Sequence, residues 1–372
     1  MRTVVLIILV FACPQLVRGQ NPAPALGFLQ IEPDARGSAL GLTGVATSAD
    51  NFVFYNPAKL SMQPGQEYGI SAGYVPYLSK LARGMGMAAL QGFRRMDEQT
   101  SIGLDLRFFS LGEVQFKDET GYDIYAYNPS EWAIGLTYSR QLSEYSAIGI
   151  TGRYINSRPA AGIEYQGQQI RTANAIAADI GFFYSSVGVS ELAGYTGGIF
   201  RSGLSLSNLG TKIKYHEHGG SAYQPMTFRG GVSYTFASEA GEHQITITGE
   251  LTKLLLPPPA VRDESGNVIS GTDPESTNVP AAFFAGWSNT KSWGAGAGLE
   301  YLYRQQFYIR AGVHYESPDF SSKQLGTAGI GCQLGAFQCD LSYFTSIAQK
   351  ANTQNYQAQT FKITVGLSFM SE

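Results

Sequence analysis

The stretch IEPDARGSALGLTGVATSADNFVFYNPAKL, residues 31–60, is the part of the chain around which the rest is organised. It is rich in small residues and ends in an apolar run, 52–55, followed by Asn56-Pro57-Ala58. After residue 66 the chain alternates apolar and polar residues in the way that β-strands do. Because this stretch alone breaks that alternation, we expect the strands to hold it in place.

Residues 1–19 precede that stretch and have the pattern of a secretory signal peptide. Arg2 supplies the positive start, residues 4–12 form the apolar core, and the small residue Gly19 ends a cleavage site. The core is too short to span a bilayer as a helix. Cys13 leaves a lipoprotein as the alternative reading, and we expect the signal peptide to be removed on export.

The composition is typical of a sheet that faces lipid. Charged residues make up 15% of the 372 residues, against about 25% in soluble domains, and there are 44 Gly, 22 Tyr and 21 Phe. Low charge with many aromatic residues suits an outer-membrane barrel with aromatic girdles. No later stretch approaches the ~18 apolar residues of a membrane-spanning helix, so a membrane protein here must be a closed barrel. The net charge of −3 gives no reason to expect nucleic acid as a partner.

Alternation predicts about fourteen strands and sorts their connections by length. The predicted strands are residues 68–76, 83–94, 99–111, 131–141, 146–157, 174–186, 200–210, 226–237, 243–254, 292–303, 307–316, 325–334, 337–346 and 358–369. Residues 281–287 are a doubtful additional strand. Short connections such as 95–98 alternate with long ones such as 255–291, and 187–199 is the exception. Outer-membrane barrels have short periplasmic turns and long outer loops.

The two faces of the predicted strands differ in chemistry. In the third strand Ile102 and Leu104 share one face, whereas Asp105 lies on the other, and the last strand divides in the same way. An arginine or lysine facing lipid at mid-membrane costs about 2–4 kcal/mol, so we expect the charged face to line the lumen. The sequence therefore predicts an all-β fold, a transmembrane antiparallel β-barrel at residues 67–372, with an N-terminal plug segment at 20–66.

The run FYNPAKL, residues 54–60, resembles the FYNPAGL-type segment of the FadL family of outer-membrane transporters. A longer match covers most of the chain and resembles the PorV family, also called LptO, of FadL-like proteins in type IX secretion. The residues that carry it are Phe28-Leu29, Pro33-Asp34-Ala35-Arg36, 44–48, 56–59, 128–129, 132–134, 138–140, 142–144, 153–155, 298–301, Phe307, 310–312 and 316–317. Tyr55 stands where a tryptophan is expected, and 255–291 follows no family pattern.

The resemblance implies a fourteen-stranded barrel with an N-terminal segment tucked into its periplasmic end, set among outer-membrane lipid and lipopolysaccharide. It implies a shuttle without a cofactor, and not an enzyme. Such proteins bind the C-terminal signal domain of secreted cargo at a SprA-type translocon. They then deliver the cargo to a PorU-type sortase with PorQ and PorZ. The alternative is a FadL-like channel for hydrophobic small molecules. A lipopolysaccharide-modifying enzyme is a third class, which no catalytic pattern in the sequence supports.

Four residues of the plug segment are candidates for a structural or functional role. Asn56 before Pro57 is biased away from helical geometry and suits a turn, so we expect it to fix the plug against the wall. The alternative is a gate that moves when a ligand or partner arrives. Asp34 and Arg36 are either solvated or paired with charges of the lumen such as Asp105, Arg107 and Arg153.

The long loop 255–291 is the predicted partner surface. Its apolar candidates are Leu255, Leu256, Pro257, Phe283, Phe284 and Trp287. Exposed apolar clusters mark interfaces, and aromatic side chains make good anchors. The alternative is that the loop folds over its own barrel mouth and buries these groups itself.

Cys332 and Cys339 flank a two-residue turn at Gly335-Ala336 and are expected to lie opposite each other near the periplasmic rim. Because the compartment is oxidising, a disulfide is one reading. The other reading is two separate small apolar residues, since a hydrogen-bonded strand pair places its side chains unfavourably for a bridge.

Patterns typical of enzymes are weak in this chain. Residues 69–73 fit G-x-S-x-G, but they lie in a predicted strand instead of a strand–turn–helix elbow. Ser288 and Lys291 have S-x-x-K spacing without a partner motif, and His216 and His218 have no visible third metal ligand. The sequence therefore predicts neither a catalytic site nor a metal site.

Overall fold

The structure is a computed structural model of the 372-residue chain. The residues that it describes are 24–48, 53–63, 65–77, 84–117, 123–159, 164–165, 168–192, 195, 197–215, 220–238, 242–263, 265, 267–317, 323–347 and 360–370. The predicted signal peptide at 1–19 and the histidines at 216 and 218 lie outside the described residues.

Fourteen antiparallel strands form a closed barrel. In chain order they are β1 (Gln66–Pro76), β2 (Met85–Arg95), β3 (Thr100–Leu111), β4 (Ser130–Ser143), β5 (Ser146–Arg158), β6 (Ala173–Ser185), β7 (Gly198–Gly210), β8 (Thr227–Ala237), β9 (His243–Leu254), β10 (Trp293–Tyr303), β11 (Phe307–Glu316), β12 (Gln324–Leu334), β13 (Phe337–Ser346) and β14 (Phe361–Met370). Each strand pairs with the next along the chain, and β1 pairs with β14 to close the wall. The predicted fold class and all fourteen predicted strands are confirmed.

The two faces of the strands divide by chemistry as the alternation predicted. Outward side chains such as Leu136 and Ile309 are 63% and 62% exposed, whereas inward ones such as Arg153 and Arg310 are 4% and 2% exposed. Apolar residues on the outer surface of a barrel face lipid, where they cost nothing. The charged residues therefore line the lumen, where other protein groups meet them.

The connections give the barrel two different ends. Tight turns such as Gly335-Ala336 lie at one end, which we call the short-turn end. The other, long-loop end carries small hairpins at Val114–Lys117 with Asp123–Tyr127, Glu164–Tyr165 with Gln168–Gln169, Ile213–Lys214 with Ser221–Ala222, and Val261–Arg262 with Val268–Ser270. By the rule for outer-membrane barrels, the long-loop end faces the outside of the cell.

Two short α-helices and three single turns of 3-10 helix complete the described elements. They are α1 (Ala35–Ala39), α2 (Val279–Ser288), and the turns Gly27–Gln30, Pro57–Ser61 and Val189–Glu191. Within the described part of the chain, no helix has both the length and the apolar character that crossing a membrane requires. The doubtful strand at 281–287 is wrong, because Asn278 caps the N–H of Ala281 and starts α2 there.

Candidate functional site

The described residues before β1, 24–48 and 53–63, lie inside the barrel, and we call them the inner segment. At the long-loop end the N–H of Ala25 donates to the carbonyl of Tyr223 over 3.2 Å. The 3-10 turn Pro57–Ser61 packs against β3, β4, β5 and β6, and the chain then enters β1 at the short-turn end. The apolar residues that pack near the long-loop end are Leu26, Phe28, Leu29 and Ile31. The inner segment therefore runs the length of the lumen and reaches the short-turn end.

The part of the inner segment around α1 is bound to the wall by ion pairs. Asp34 caps α1 by accepting two backbone N–H groups, and Arg36 donates to Glu300 of β10 through Nε at 2.9 Å and NH2 at 2.8 Å. On β14, the Nζ of Lys362 lies 3.2 Å from Oε2 of Glu32. Buried ion pairs of this kind fix position because separating the partners leaves an uncompensated charge.

Asn56 fixes the second part of the inner segment, and every bond it makes is neutral. Its Oδ1 accepts the N–H of Ala58 at 3.0 Å, which caps the turn that Pro57 begins. Its Nδ2 donates to the carbonyls of Val45 and, on β6, Phe182, at 3.1 and 2.9 Å. The side chain therefore ties two parts of the inner segment to each other and to the wall.

Nearer the short-turn end, uncharged side chains of the wall also bind the inner segment by hydrogen bonds. The Oγ of Ser139 on β4 donates to the carbonyl of Ala58 at 2.9 Å and lies 2.9 Å from the Oγ of Ser61. The amide of Gln141 donates to the carbonyl of Ser61 at 2.5 Å. The backbone of the turn is thus satisfied by side chains of the wall.

Inward-facing glycines of the wall let the inner segment lie directly against the strands. At each of them a Cβ would come within 3.0 Å of an atom of the inner segment. They are Gly103, Gly149, Gly181, Gly203, Gly231, Gly296, Gly298, Gly312 and Gly329. The inner segment contributes a glycine of its own, because Gly41 has φ +73 and its missing Cβ leaves room for the carbonyls of Ala297 and Val313. Glycines on eight strands therefore make the lumen wide enough for the inner segment at the places where it touches the wall.

Glu250 is an anchor that the sequence did not single out. Its Oε2 accepts the N–H groups of Gly44 and Val45 at 2.8 and 2.9 Å, and its Oε1 lies 3.0 Å from NH1 of Arg229. A carboxylate that accepts two adjacent backbone N–H groups holds the chain firmly. The sequence could have indicated Glu250, because it lies on the predicted lumen face of the ninth strand while its neighbour Leu251 lies on the lipid face.

The three charges named as partners for the plug form ion pairs within the wall. Arg107 Nε lies 3.5 Å from Asp105, and Arg153 NH1 lies 2.9 Å from Asp179. A bulge places Asn208 at φ 60, where its N–H donates to Asp179 at 2.7 Å. The structure thus joins β3, β5, β6 and β7 through these groups and gives Arg36 a different partner, Glu300.

Among the described residues, three small cavities lie between the inner segment and the wall. They share Gln30 in their lining and have volumes of about 10, 30 and 20 Å³. A single water needs about 10–15 Å³ by this measure, so these three cavities have room for one or a few water molecules and are too small for an organic solute. Glu32 lines two of the cavities. Burial would raise the pKa of Glu32, but the Lys362 ammonium, assisted by Lys323, lowers this pKa below its ordinary value.

The six apolar residues predicted as a partner surface divide into two groups. Leu255 is buried and Leu256 and Phe283 are partly buried, in a cluster with Tyr223 and Met226 at the long-loop end. Pro257 is also buried. Phe284 is 70% exposed and Trp287 is 40% exposed on α2. The structure therefore covers four of the six side chains wholly or partly and leaves those of Phe284 and Trp287 exposed.

Cys332 and Cys339 are opposite each other in the pairing of β12 with β13, as the sequence predicted. Both thiols are free in the structure and half-buried. They share the outward phase of their strands with Ile330 and Leu341, which are exposed. The thiols therefore lie on the lipid-facing side at the short-turn end, without a disulfide bond.

The weak enzyme patterns occupy ordinary structural positions. Residues 69–73 lie inside β1, and Ser288 is the last residue of α2, with Lys291 just beyond it. In the described ranges, no three His, Cys, Asp or Glu side chains are grouped to hold a metal ion.

Comparisons with known proteins place this barrel in a family. The family model described as type IX secretion system protein PorV matches residues 20–261. Among solved structures, the CymD monoaromatic hydrocarbon channel is similar with a TM-score of 0.51 and 13% identity, over 94% of this chain and 100% of that chain. The toluene transporter TodX of P. putida has a TM-score of 0.51 and 11% identity, over 92% and 99% of the two chains. Comparison with curated proteins gives no match.

At these identities the two channels share only the fold with this chain, an outer-membrane barrel of the FadL type. The family model is more informative, because residues 20–261 make up well over half of the chain. The chain belongs to the PorV family of type IX secretion system proteins.

Proposed function

We propose that this protein is a cargo shuttle of type IX secretion. In this proposal it binds the C-terminal signal domain of a secreted protein at a SprA-type translocon in the outer membrane. It then delivers the cargo to the surface attachment complex, a PorU-type sortase with PorQ and PorZ. The signal peptide is removed first, and the protein acts as a carrier without catalysis. Membership of the PorV family supports the secretion role.

The observation that carries the proposal is the occupied lumen. The inner segment runs from the long-loop end to the short-turn end, and the cavities described beside it have volumes of about 10–30 Å³. A conduit for an organic solute needs a continuous path wider than this, and a shuttle needs none. An occupied lumen leaves the outer surface and the long loops as the working parts of the protein.

The alternative function is a channel for hydrophobic small molecules. Its support is the shared fold with two hydrocarbon transport proteins, CymD and TodX. In a channel, the inner segment would have to leave its wall contacts when a solute passes. The two functions therefore make opposite demands on the same contacts, those of Arg36, Asn56 and the wall glycines.

Capture of cargo separates the two functions. The purified barrel in detergent is passed over an immobilised C-terminal signal domain, with the same domain in scrambled sequence as the matched control. A shuttle is retained by the native domain only. If neither column retains the protein, the proposal is wrong. A second readout is the deletion strain: secretion that persists while uptake of an apolar solute is lost would establish the channel instead.

A further inference from the structure

Helix α2 lies against the outside of the barrel wall and not over its mouth. Its Ala282 and Phe283 belong to a cluster with Leu206 and Phe228, and these two side chains point outward from β7 and β8. The backbone of Leu255, just after β9, lies so close to Gly286 that a Cβ there would overlap it. The helix is thus pressed onto the outer rim of three neighbouring strands.

A buried lysine fixes the chain on the far side of α2. Lys253 occupies the outward phase of β9, yet it is fully covered. Its Nζ donates to the carbonyl of Asn289 at 2.6 Å and to Ser292 at 3.3 Å, and it lies 4.5 Å from the centre of the Trp293 ring. Because Asn289 directly follows α2, these bonds hold the helix at one height on the barrel.

The uncovered side of α2 is aromatic and continues the lipid-facing surface. Phe284 and Trp287 are one turn apart and are 70% and 40% exposed. The Trp287 ring lies 5.2 Å from that of Phe228, whose side chain is part of the outward, lipid-facing phase of β8. At this contact the helix and the lipid-facing surface therefore meet through two aromatic rings.

All tryptophans of the chain lie at this height. The sequence contains 3 Trp, and besides Trp287 these are Trp132 and Trp293, outward residues within the first three positions of β4 and β10. Both strands begin at the long-loop end. Tryptophan collects where acyl chains meet lipid headgroups, because its ring is apolar and its N–H is polar. The two strand tryptophans therefore mark the outer membrane interface, and α2 lies at the same level.

We propose that α2 is a membrane-interface helix whose Phe284 and Trp287 contact outer-leaflet lipid where the acyl chains meet the headgroups. We assign lipid to this surface because the aromatic side of α2 is continuous with the lipid-facing wall. A protein partner on the same two side chains is the competing outcome. The inference depends on the barrel being in the outer membrane and is independent of the proposed shuttle role.

Fluorescence quenching in vesicles tests the inference on the intact protein. The barrel is reconstituted into phosphatidylcholine vesicles whose acyl chains carry bromine near the headgroup. One variant, Trp132→Phe with Trp293→Phe, leaves Trp287 as its single tryptophan. The matched control, Trp287→Phe with Trp293→Phe, leaves Trp132 in the barrel wall. In brominated vesicles the emission of Trp287 is expected to fall as much as that of Trp132. Iodide in the aqueous phase is expected to quench Trp287 only weakly.

The inference is overturned if iodide quenches Trp287 strongly and brominated lipid leaves it unchanged while Trp132 is quenched. That result would place α2 in water, free for a protein partner. If a double variant does not refold, single Trp287→Phe protein compared with wild type gives the same information, because the bromine-quenched emission that disappears belongs to Trp287. In every case cargo capture by the same preparations reports on the shuttle role separately.

Discussion

The two halves of the inner segment are attached to the wall by different physics. The half around α1 packs against β11 to β14 and depends on ion pairs, Arg36 with Glu300 and Lys362 with Glu32. The half around Pro57–Ser61 packs against β3 to β6 and depends on neutral hydrogen bonds and on wall glycines. Wall glycines lie against both halves, so both should be sensitive to added volume, and the first half should in addition be sensitive to lost charge and to pH.

Removing Glu300 should have the largest effect on the charged half. Glu300→Ala removes the carboxylate that accepts bonds from both Arg36 and Arg310, so two buried guanidinium groups lose a shared counter-charge. The expected loss of unfolding free energy is about 3–5 kcal/mol. It is measured by denaturant titration of the barrel in lipid vesicles. The control Glu242→Ala removes the exposed pair with Arg304 and should change nothing measurable. Equal losses in both variants would contradict the charged attachment.

Adding one methyl group to the wall should break the neutral half. In Gly149→Ala the new Cβ would overlap the backbone of Pro57 and Ala58, which cannot move aside freely. Overpacking of this kind costs about 1–3 kcal/mol. The control Gly152→Ala is on the same strand with open space around it. The temperature at which the folded band disappears on a gel should fall only for Gly149→Ala. Wild-type behaviour of this variant would mean that the turn does not touch the wall.

Asn56→Ala should weaken the same half by a smaller amount. Loss of a helix-cap side chain typically costs about 1 kcal/mol, and here two carbonyls also lose their donor. The matched control is Asn278→Ala, which removes the same kind of cap from α2 outside the barrel. Protease cleavage within the inner segment should become faster only in Asn56→Ala. Faster cleavage in both variants, or in neither, would argue against the anchor role of Asn56.

Acid should loosen the charged half and spare the neutral one. The pKa of Glu32 is lowered in the folded protein, so its pair with Lys362 contributes stability above the ordinary value of 4.5. That contribution is lost as the pH falls through the lowered pKa. Stability measured from neutral pH down to about pH 3 should therefore fall less steeply in Glu32→Gln than in wild type. Identical slopes would show that this pair adds nothing.

The strands of the wall were predictable from the sequence, whereas the contacts between the wall and the inner segment were not. Alternation over a dozen residues identifies each strand and its lipid face, because every lipid-facing charge is costly. The pairing of Arg36 with Glu300 joins residues 264 positions apart, and no local pattern specifies it. Gly296 and Gly298 make room for the backbone of Gly41 and Leu40, and this close approach appears only in three dimensions.

Helix α2 was misread for a different reason. Three of the five residues 283–287 are aromatic, and aromatic residues are enriched in strands. The signals for a helix were present, with Asn278 at the cap and Pro280 in the first turn. Whether Phe284 and Trp287 meet protein or lipid depends on their height against the membrane, which the sequence does not contain.

The central claim is that the inner segment stays in place while the protein works. Ser61 and Ser139 have hydroxyl oxygens 2.9 Å apart, so Ser61→Cys with Ser139→Cys can form a disulfide that locks the turn to β4. The background carries Cys332→Ala and Cys339→Ala. The control lock, Ser143→Cys with Ser146→Cys, joins two wall residues whose hydroxyls are also 2.9 Å apart.

The decisive measurement is the amount of cargo reaching the surface of cells that carry only the locked protein, with and without reductant. A fixed inner segment predicts equal secretion in the oxidised and the reduced state, as in the control. Secretion that stops on oxidation and returns with reductant, in the Ser61–Ser139 variant alone, would contradict the account and show that the inner segment moves.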